Sequence, residues 1–295
     1  MDRSKEIREF LRTRRARITP EQAGLAPDRS ARRVPGLRRE EVAQLAGVSV
    51  DYYVRLERGR AQGVSEAVLD AVARALQLDE VERAHLFDLA QPTAARSRPK
   101  RPLAVQRVRP VLYRVLDSLS VPAFVEGRRL DVLAANRLHH ALFTDFEARP
   151  RRERNFARYV FLDEAAHTLY TDWEQVAGNV VSALRLYAGR HPDDPQLSEL
   201  IGDLSVHSEV FRRMWADRNV VAHTTGTKRF HHPLVGDLTL DYAVLAVEGD
   251  AEQTLVIYTP EPASPSAEAL NILASWSGTS TAGRRAATET HNPAG

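Results

Sequence analysis

Between Leu45 and Gly59 the chain reads LAGVSVDYYVRLERG, which sets two tyrosines, two arginines and an aspartate behind a Gly-Val-Ser corner. Arginine is a planar fork of donors that meets guanine O6 and N7, or a phosphate, through paired hydrogen bonds. On a helix that starts after Ser49, Tyr53 and Leu56 share one face at i, i+3. Val50, Asp51, Tyr52, Arg55 and Arg58 are left to project outward or sideways. Arg55 suits a base edge or a phosphate, Arg58 a phosphate, and Tyr52 is offered to the same partner. Upstream, Arg38 and Arg39 open the run RREEVAQLAG. There, free N–H groups and the positive end of the helix dipole already favour an anion. The chemistry on offer is recognition of double-stranded DNA.

These residues need two short helices meeting at a tight corner. Val42, Leu45 and Ala46 recur at i, i+3, i+4 and give the first helix an apolar face. Gly47 follows the last periodic residue, where a left-handed C-cap is wanted, and Ser49 is a good N-cap for the next helix. Val48 can plug the corner, and Gly59 ends the second helix. That helix then protrudes as a rod about the width of the B-DNA major groove.

The surroundings read as helical too. Ile7, Phe10, Leu11 and Arg14 fall near one face of SKEIREFLRTRRARI. Thr19 to Gln22, TPEQ, has a capping-box pattern. Ser65 is placed as an N-cap with Val64 and Leu69 spaced as a hydrophobic staple, and EVERAHLFDLA supplies a last short helix. About five helices and no strand are expected up to residue 90. Charge divides the chain in the same way. Residues 1–110 hold 23 Lys+Arg against 15 Asp+Glu, a balance of +8; the rest holds 18 against 24, a balance of −6, and the two give the net +2. A basic N-terminal third joined to an acidic remainder suggests a polyanion-binding module attached to something else.

Ala90 to Pro110 carries four prolines among basic residues without helical period, which reads as a solvated linker. Beyond it VPAFVEG and RLDVLAAN read as a strand pair, residues 137–147, 151–190 and 196–217 as helical, and TGTKRFHHPLVG, LTLDYAVLAVEG and TLVIYTPEP as three strands. SAEALNILASW closes the domain as a helix. An α+β domain with an antiparallel sheet is expected. The small, polar residues 277–295 are expected to be a disordered tail. The boundaries are therefore 1–90 for the DNA-binding domain, 91–110 for the linker, 111–276 for the second domain and 277–295 for the tail.

GLRREEVAQLAGVSVDYYVRLERGR, VSEAVLDAVARAL and DEVERAHLFDLA resemble the helix-turn-helix module of the phage-repressor (Xre) type. VPAFVEGRRLDVLAAN, RRERNFARYVFLD, DWEQVAGNVVSALR, FRRMWADRNV, HHPLVGDLTLDY and VIYTPEPASPSAEALNIL resemble the C-terminal domain of the MmyB-like bacterial regulators, from about residue 3 to 276 overall. The resemblance implies an all-α five-helix Xre-type domain followed by a PAS-like α+β ligand-binding domain, whose family is associated with a fatty-acid-like ligand. It places Val50, Asp51, Tyr52 and Arg55 at recognition-helix positions and Arg38, Arg39 and Arg58 at phosphate-facing ones. This chain departs from the pattern at Ala135-Asn136, where the family commonly has Trp-Asn. Losing an indole there enlarges or reshapes any cavity.

A PAS-like fold can enclose an apolar cavity closed by a few polar groups. Candidate ligand contacts are Phe124, Asn136, Arg154, Asn155, Tyr159, Trp173 and Trp215. Five of them also have a structural reading: Asn136 and Asn155 as helix N-caps, Arg154 as a surface residue, Trp173 and Trp215 as core.

Other chemistry finds little footing. There are no cysteines, so disulfides, thiolate nucleophiles and cysteine-based metal sites are excluded. The adjacent pairs His139-His140 and His231-His232 cannot chelate alone, because neighbours on a helix or a strand point apart. No metal, no cofactor and no catalytic residue is expected, and GxSxG, HExxH and phosphate-loop motifs are absent. A self-cleaving Ser-Lys site would have to rest on Lys228, whose TGTKRF setting does not suit it. The expectation is a cytoplasmic, non-enzymatic transcription regulator without a membrane span. It would bind a pseudo-palindromic operator as a homodimer and respond to a small, partly apolar, fatty-acid-like effector. Its rivals are a regulator whose C-terminal domain only dimerises or binds a protein, and an enzyme fused to a DNA-binding head.

Overall fold

The structure, a computed structural model, describes residues 3–25, 36–60, 63–90, 105–217, 225–250 and 252–276. The expected tail, His223 and the linker up to residue 104 lie outside these residues. Cα packing resolves two units. One comprises Met1–Leu103, Ser182–Asp203 and Arg212–Ala222; the other comprises Ala104–Val181, Leu204–Phe211 and His223–Gly295.

In the first unit the N-terminal helices are α1 (Arg3–Arg17), α2 (Arg39–Ala46), α3 (Val50–Glu57), α4 (Glu66–Ala75) and α5 (Glu80–Ala90). This is the five-helix domain that the periodicity predicts. Ile7, Phe10, Leu11, Val42, Tyr53, Leu56, Val64, Leu69, Val72, Leu76 and Leu86 form one apolar core, and burial of such side chains is what holds short helices that would be marginal alone. Two sequence expectations need correction. Leu45 is exposed, because the buried face of α2 runs through Val42, Ala43 and Ala46. The reciprocal Thr19–Gln22 capping box forms, with Thr19 N–H donating to Gln22 Oε1 at 2.9 Å and Gln22 N–H donating to Thr19 Oγ1 at 3.3 Å. It closes only a turn, not a helix.

The second unit carries β1 (Ala123–Glu126), β2 (Val132–Ala135), β3 (Thr225–His232), β4 (Gly236–Ala246) and β5 (Thr254–Pro260) in one sheet of order β2-β1-β5-β4-β3. Every pairing is antiparallel, so the PAS-like α+β domain that the resemblance implies is present. Helix α6 (Pro110–Ser118) covers one face, with Leu112 and Leu116 against Ala123, Val125 and Ala134. The other face meets α7 (Arg137–Leu142), α8 (Phe156–Leu162) and α9 (Glu164–Leu169). The chain continues through α10 (Trp173–Arg190), α11 (Pro195–His207) and α12 (Glu209–Asp217), and after β5 a last helix, α13, spans residues 265–276.

The long helical stretches expected over 151–190 and 196–217 are broken into shorter helices. Asp163 Oδ1 accepts from Ala165 N–H at 3.0 Å and starts α9. Ser208 Oγ accepts from Phe211 N–H at 3.2 Å and starts α12. Both are cap residues inside an apolar period, where the hydroxyl or carboxylate satisfies donors that a continuing helix would not leave free.

Candidate functional site

The corner between α2 and α3 is built from local chemistry. Gly47 adopts φ 66°, the left-handed C-cap, and Val48 N–H donates to Ala43 C=O at 3.0 Å. Ser49 takes extended dihedrals, and its Oγ accepts from Tyr52 N–H at 3.2 Å. Tyr53 and Leu56 are buried, at 0 % and 1 % exposure. Val50, Asp51, Arg55 and Arg58 are exposed and Tyr52 is half-buried. The Arg55 guanidinium lies 5.8 Å from the Tyr52 ring centroid, so an arginine and an aromatic ring share the outward side of α3. The structure therefore brings the sequence-identified set together on one surface. Gly59 closes α3 at φ 67°, where a Cβ would lie 2.5 Å from Ser4 Cα. Glycine is required there twice, by its dihedral and by the approach of α1.

Arg38 and Arg39 play parts the sequence did not show. Arg38 is the N-cap of α2, and its backbone N–H donates to the Glu41 carboxylate at 2.6 Å. Arg39 Nε donates to the Glu57 carboxylate, which also accepts from Arg15 Nε at 3.1 Å. Glu57 is 1 % exposed and the Arg39 side chain 44 %. Arg39 is thus a structural tie between α2 and α3 as well as a surface cation, and its hydrogen bond to Glu57 raises its pKa further. A second ion cluster sets the buried Arg14 against Glu82 at 3.1 Å, with Arg17 on the same carboxylate at 3.1 Å. These pairs fix α1 against α3 and α5 and leave α3 presented rigidly.

In the second unit the sheet's inner face and α7–α9 enclose a layer of rings. Phe124 lies 4.7 Å from His139 and 6.1 Å from Phe156 between ring centroids. Phe143 contacts Phe156, Tyr159, Tyr170, Phe230 and Tyr258 at 5.4–6.3 Å. The Tyr159 and Tyr170 hydroxyls and both His139 ring nitrogens are buried without a hydrogen-bond partner. Burial holds His139 neutral by pushing its pKa well below the ordinary value.

Two charged side chains enter this layer. Glu126 faces inward on β1 beside the β5 residue Thr254, and Lys228 faces inward on β3 opposite Leu240 of β4. Both are half-buried rather than sealed. Burial nevertheless dominates both titrations, pushing Glu126 up to about 7 and Lys228 down to about 8, each opposed by the other's charge. Ala135, half-buried opposite Phe124 on the same face, stands where the family commonly carries an indole.

The other sequence candidates are placed otherwise. Phe124 and Tyr159 line the ring layer. Asn136 is the N-cap of α7: its Oδ1 accepts from Ala123 and His139 N–H at 3.1 and 2.9 Å, and its Nδ2 donates to Val121 C=O at 2.7 Å. Asn155 caps α8 through Arg158 N–H at 3.1 Å and donates to Arg129 C=O and Asp131. Both amides are consumed by the fold. Arg154 donates to the Arg149 and Glu147 carbonyls at 2.9 and 2.8 Å. Trp173 donates to Val160 C=O at 2.9 Å and stacks on His167 at 4.0 Å. Trp215 stacks under Arg185 at 4.6 Å and belongs to the first unit, so it is not brought to the ring layer. Sequence reasoning did not single out Lys228 or Glu126 as charged members of this layer. The available signal was a lone lysine at an inward-facing strand position, with alternating Phe230 and His232 beyond it.

Among the described residues no group of three or more His, Asp or Glu side chains could hold a metal, and no helix is long and apolar enough to cross a membrane. The match to the MmyB-like transcription regulator ligand-binding domain spans residues 108–273. A helix-turn-helix domain matches residues 6–86. No curated protein matches the chain. With a helix-turn-helix head whose second helix turns Tyr52 and Arg55 outward, and a ligand-binding-domain match that covers more than half of the chain, the chain belongs to the MmyB-like transcription regulators: DNA-binding regulators that carry a ligand-binding domain.

Proposed function

We propose that this regulator reads its operator with α3 in the major groove and responds to a small, partly apolar, fatty-acid-like molecule held between the sheet and α7–α9. Val50, Asp51, Tyr52 and Arg55 read base edges, while Arg38, Arg39 and Arg58 meet phosphates. The observation that carries the DNA side is the split of adjacent tyrosines: Tyr53 is sealed in the core and Tyr52 is presented with Arg55. The effector side rests on the half-buried, desolvated Glu126 and Lys228 among unpartnered tyrosine hydroxyls. A C-terminal domain that only dimerises would fill this layer with apolar side chains and gains nothing from two half-buried charges.

Acting as a homodimer, the protein would present two heads to half-sites about 34 Å apart on a pseudo-palindrome. The effector would alter operator affinity by favouring one arrangement of the heads. The proposed protein is cytoplasmic and performs no catalysis. Selection of the purified protein against a random duplex library tests the reading: enrichment of one inverted-repeat motif supports it, and recovery of unenriched sequence at low salt refutes it.

A further inference from the structure

The outward side of α3 carries an acid among its arginines. At 3.6 residues per turn, Asp51, Arg55 and Arg58 fall on one ridge at i, i+4 and i+7, opposite the buried Tyr53, Leu56 and Glu57. All three ridge side chains are exposed. An acid four residues before an arginine is the favoured order for a helix ion pair, yet the two do not pair. The Arg55 guanidinium lies instead over the Tyr52 ring at 5.8 Å, and Asp51 has no cation on it among the described residues. The other acid of α3, Glu57, is sealed at 1 % exposure and matched by Arg15 and Arg39. The two acids of this helix therefore have opposite settings: one is consumed by the fold and the other is presented.

Duplex DNA carries one negative charge per about 1.7 Å of axis, so a bare carboxylate on the face that meets it is repelled. Only a base that donates a hydrogen bond offsets that cost. In the major groove guanine N7 and O6 and thymine O4 accept, and adenine sets its N6 donor beside the N7 acceptor. Cytosine shows its N4 donor with no acceptor beside it. Arg55 has the opposite need and suits guanine. Four residues along a helix span about 6 Å, which is within two base-pair steps of about 3.4 Å. We propose that Asp51 is a specificity filter, accepting from a cytosine N4 amino group within two base pairs of the guanine that Arg55 reads. This rests on the reading that α3 enters the major groove. The same carboxylate penalises duplexes that set acceptors against it, so it sharpens the operator preference from both sides.

The test repeats the selection from a random duplex library with the full-length wild type, Asp51→Asn and Asp51→Ala. The wild-type motif should hold a cytosine within two positions of a guanine, and replacing that C·G pair by A·T should weaken binding about tenfold. Asp51→Asn should change the selected base from cytosine to adenine, because a carboxamide pairs with adenine N6 and N7. Asp51→Ala should lose preference at that position alone, keep the guanine, and bind random duplex more tightly than the wild type. An aspartate that only steadied the first turn of α3 would weaken all duplexes alike and leave the selected bases unchanged. The filter is overturned if Asp51→Asn selects the wild-type base at every position, or if Asp51→Ala gains no affinity for random duplex. A wild type that enriches no motif overturns groove reading by α3 and the filter with it.

Discussion

Arg39 and Glu57 form an ion pair that ties the first turn of α2 to the last residue of α3. The contact makes the orientation of the recognition helix depend on a residue that sequence alone assigns to phosphate binding. Glu57 also holds Arg15 of α1, so three helices meet on one buried carboxylate. Glu57→Ala should therefore destabilise the domain by about 3 kcal/mol, since it leaves two cations without their anion. Denaturant unfolding reads this directly; a loss well under 1 kcal/mol would show that the pairs are incidental.

The same contact separates two arginines in function. Arg39→Ala should lower both stability and DNA affinity across all sequences, whereas Arg58→Ala should lower affinity alone and reduce the salt slope by about one. Parallel melting curves and binding isotherms distinguish them. Equal stability losses in the two variants would contradict the structural part given to Arg39.

Gly47 and Gly59 share a left-handed backbone but not a neighbourhood. A Cβ on Gly47 meets nothing within 4 Å, while one on Gly59 would lie 2.5 Å from Ser4 Cα. Gly47→Ala should cost about 1 kcal/mol from dihedral strain alone. Gly59→Ala should cost clearly more, because backbone must move. The reverse order in thermal unfolding would mean that α1 does not hold its place against the end of α3.

The part of the site around Gly47 was legible because its causes are local. A glycine C-cap, a serine N-cap and apolar residues at i, i+3 act within a few residues of one another, so the order of types already specifies the corner. Leu45 misled because period alone does not say which of two adjacent apolar stripes faces the core. Asn136 and Asn155 read equally as caps or contacts until their amide partners were visible. Lys228 was opaque for a different reason. Its setting depends on Phe156 and Tyr170 from the helical layer and Tyr242 and Tyr258 from neighbouring strands, residues that only the sheet order and helix packing bring together.

Removing the Lys228 charge should stabilise the ligand-free protein. Burial lowers its pKa to about 8 from the ordinary 10.5, so the unfolded chain binds more protons between those values. The penalty is full below about 8 and fades as pH rises towards 10.5. Lys228→Met should then raise the unfolding free energy at pH 7 by roughly 1–2 kcal/mol. A lowered midpoint would make Lys228 a structural cation rather than a group held ready for a ligand.

The central claim is that the outward side of α3 reads bases, and Arg55→Ala tests it most directly. On the selected operator, at fixed salt, the substitution should cost about 1–3 kcal/mol, with a smaller loss on random duplex. The operator preference should therefore collapse. An Arg55→Ala protein that keeps its full preference for the operator over random DNA would contradict the account.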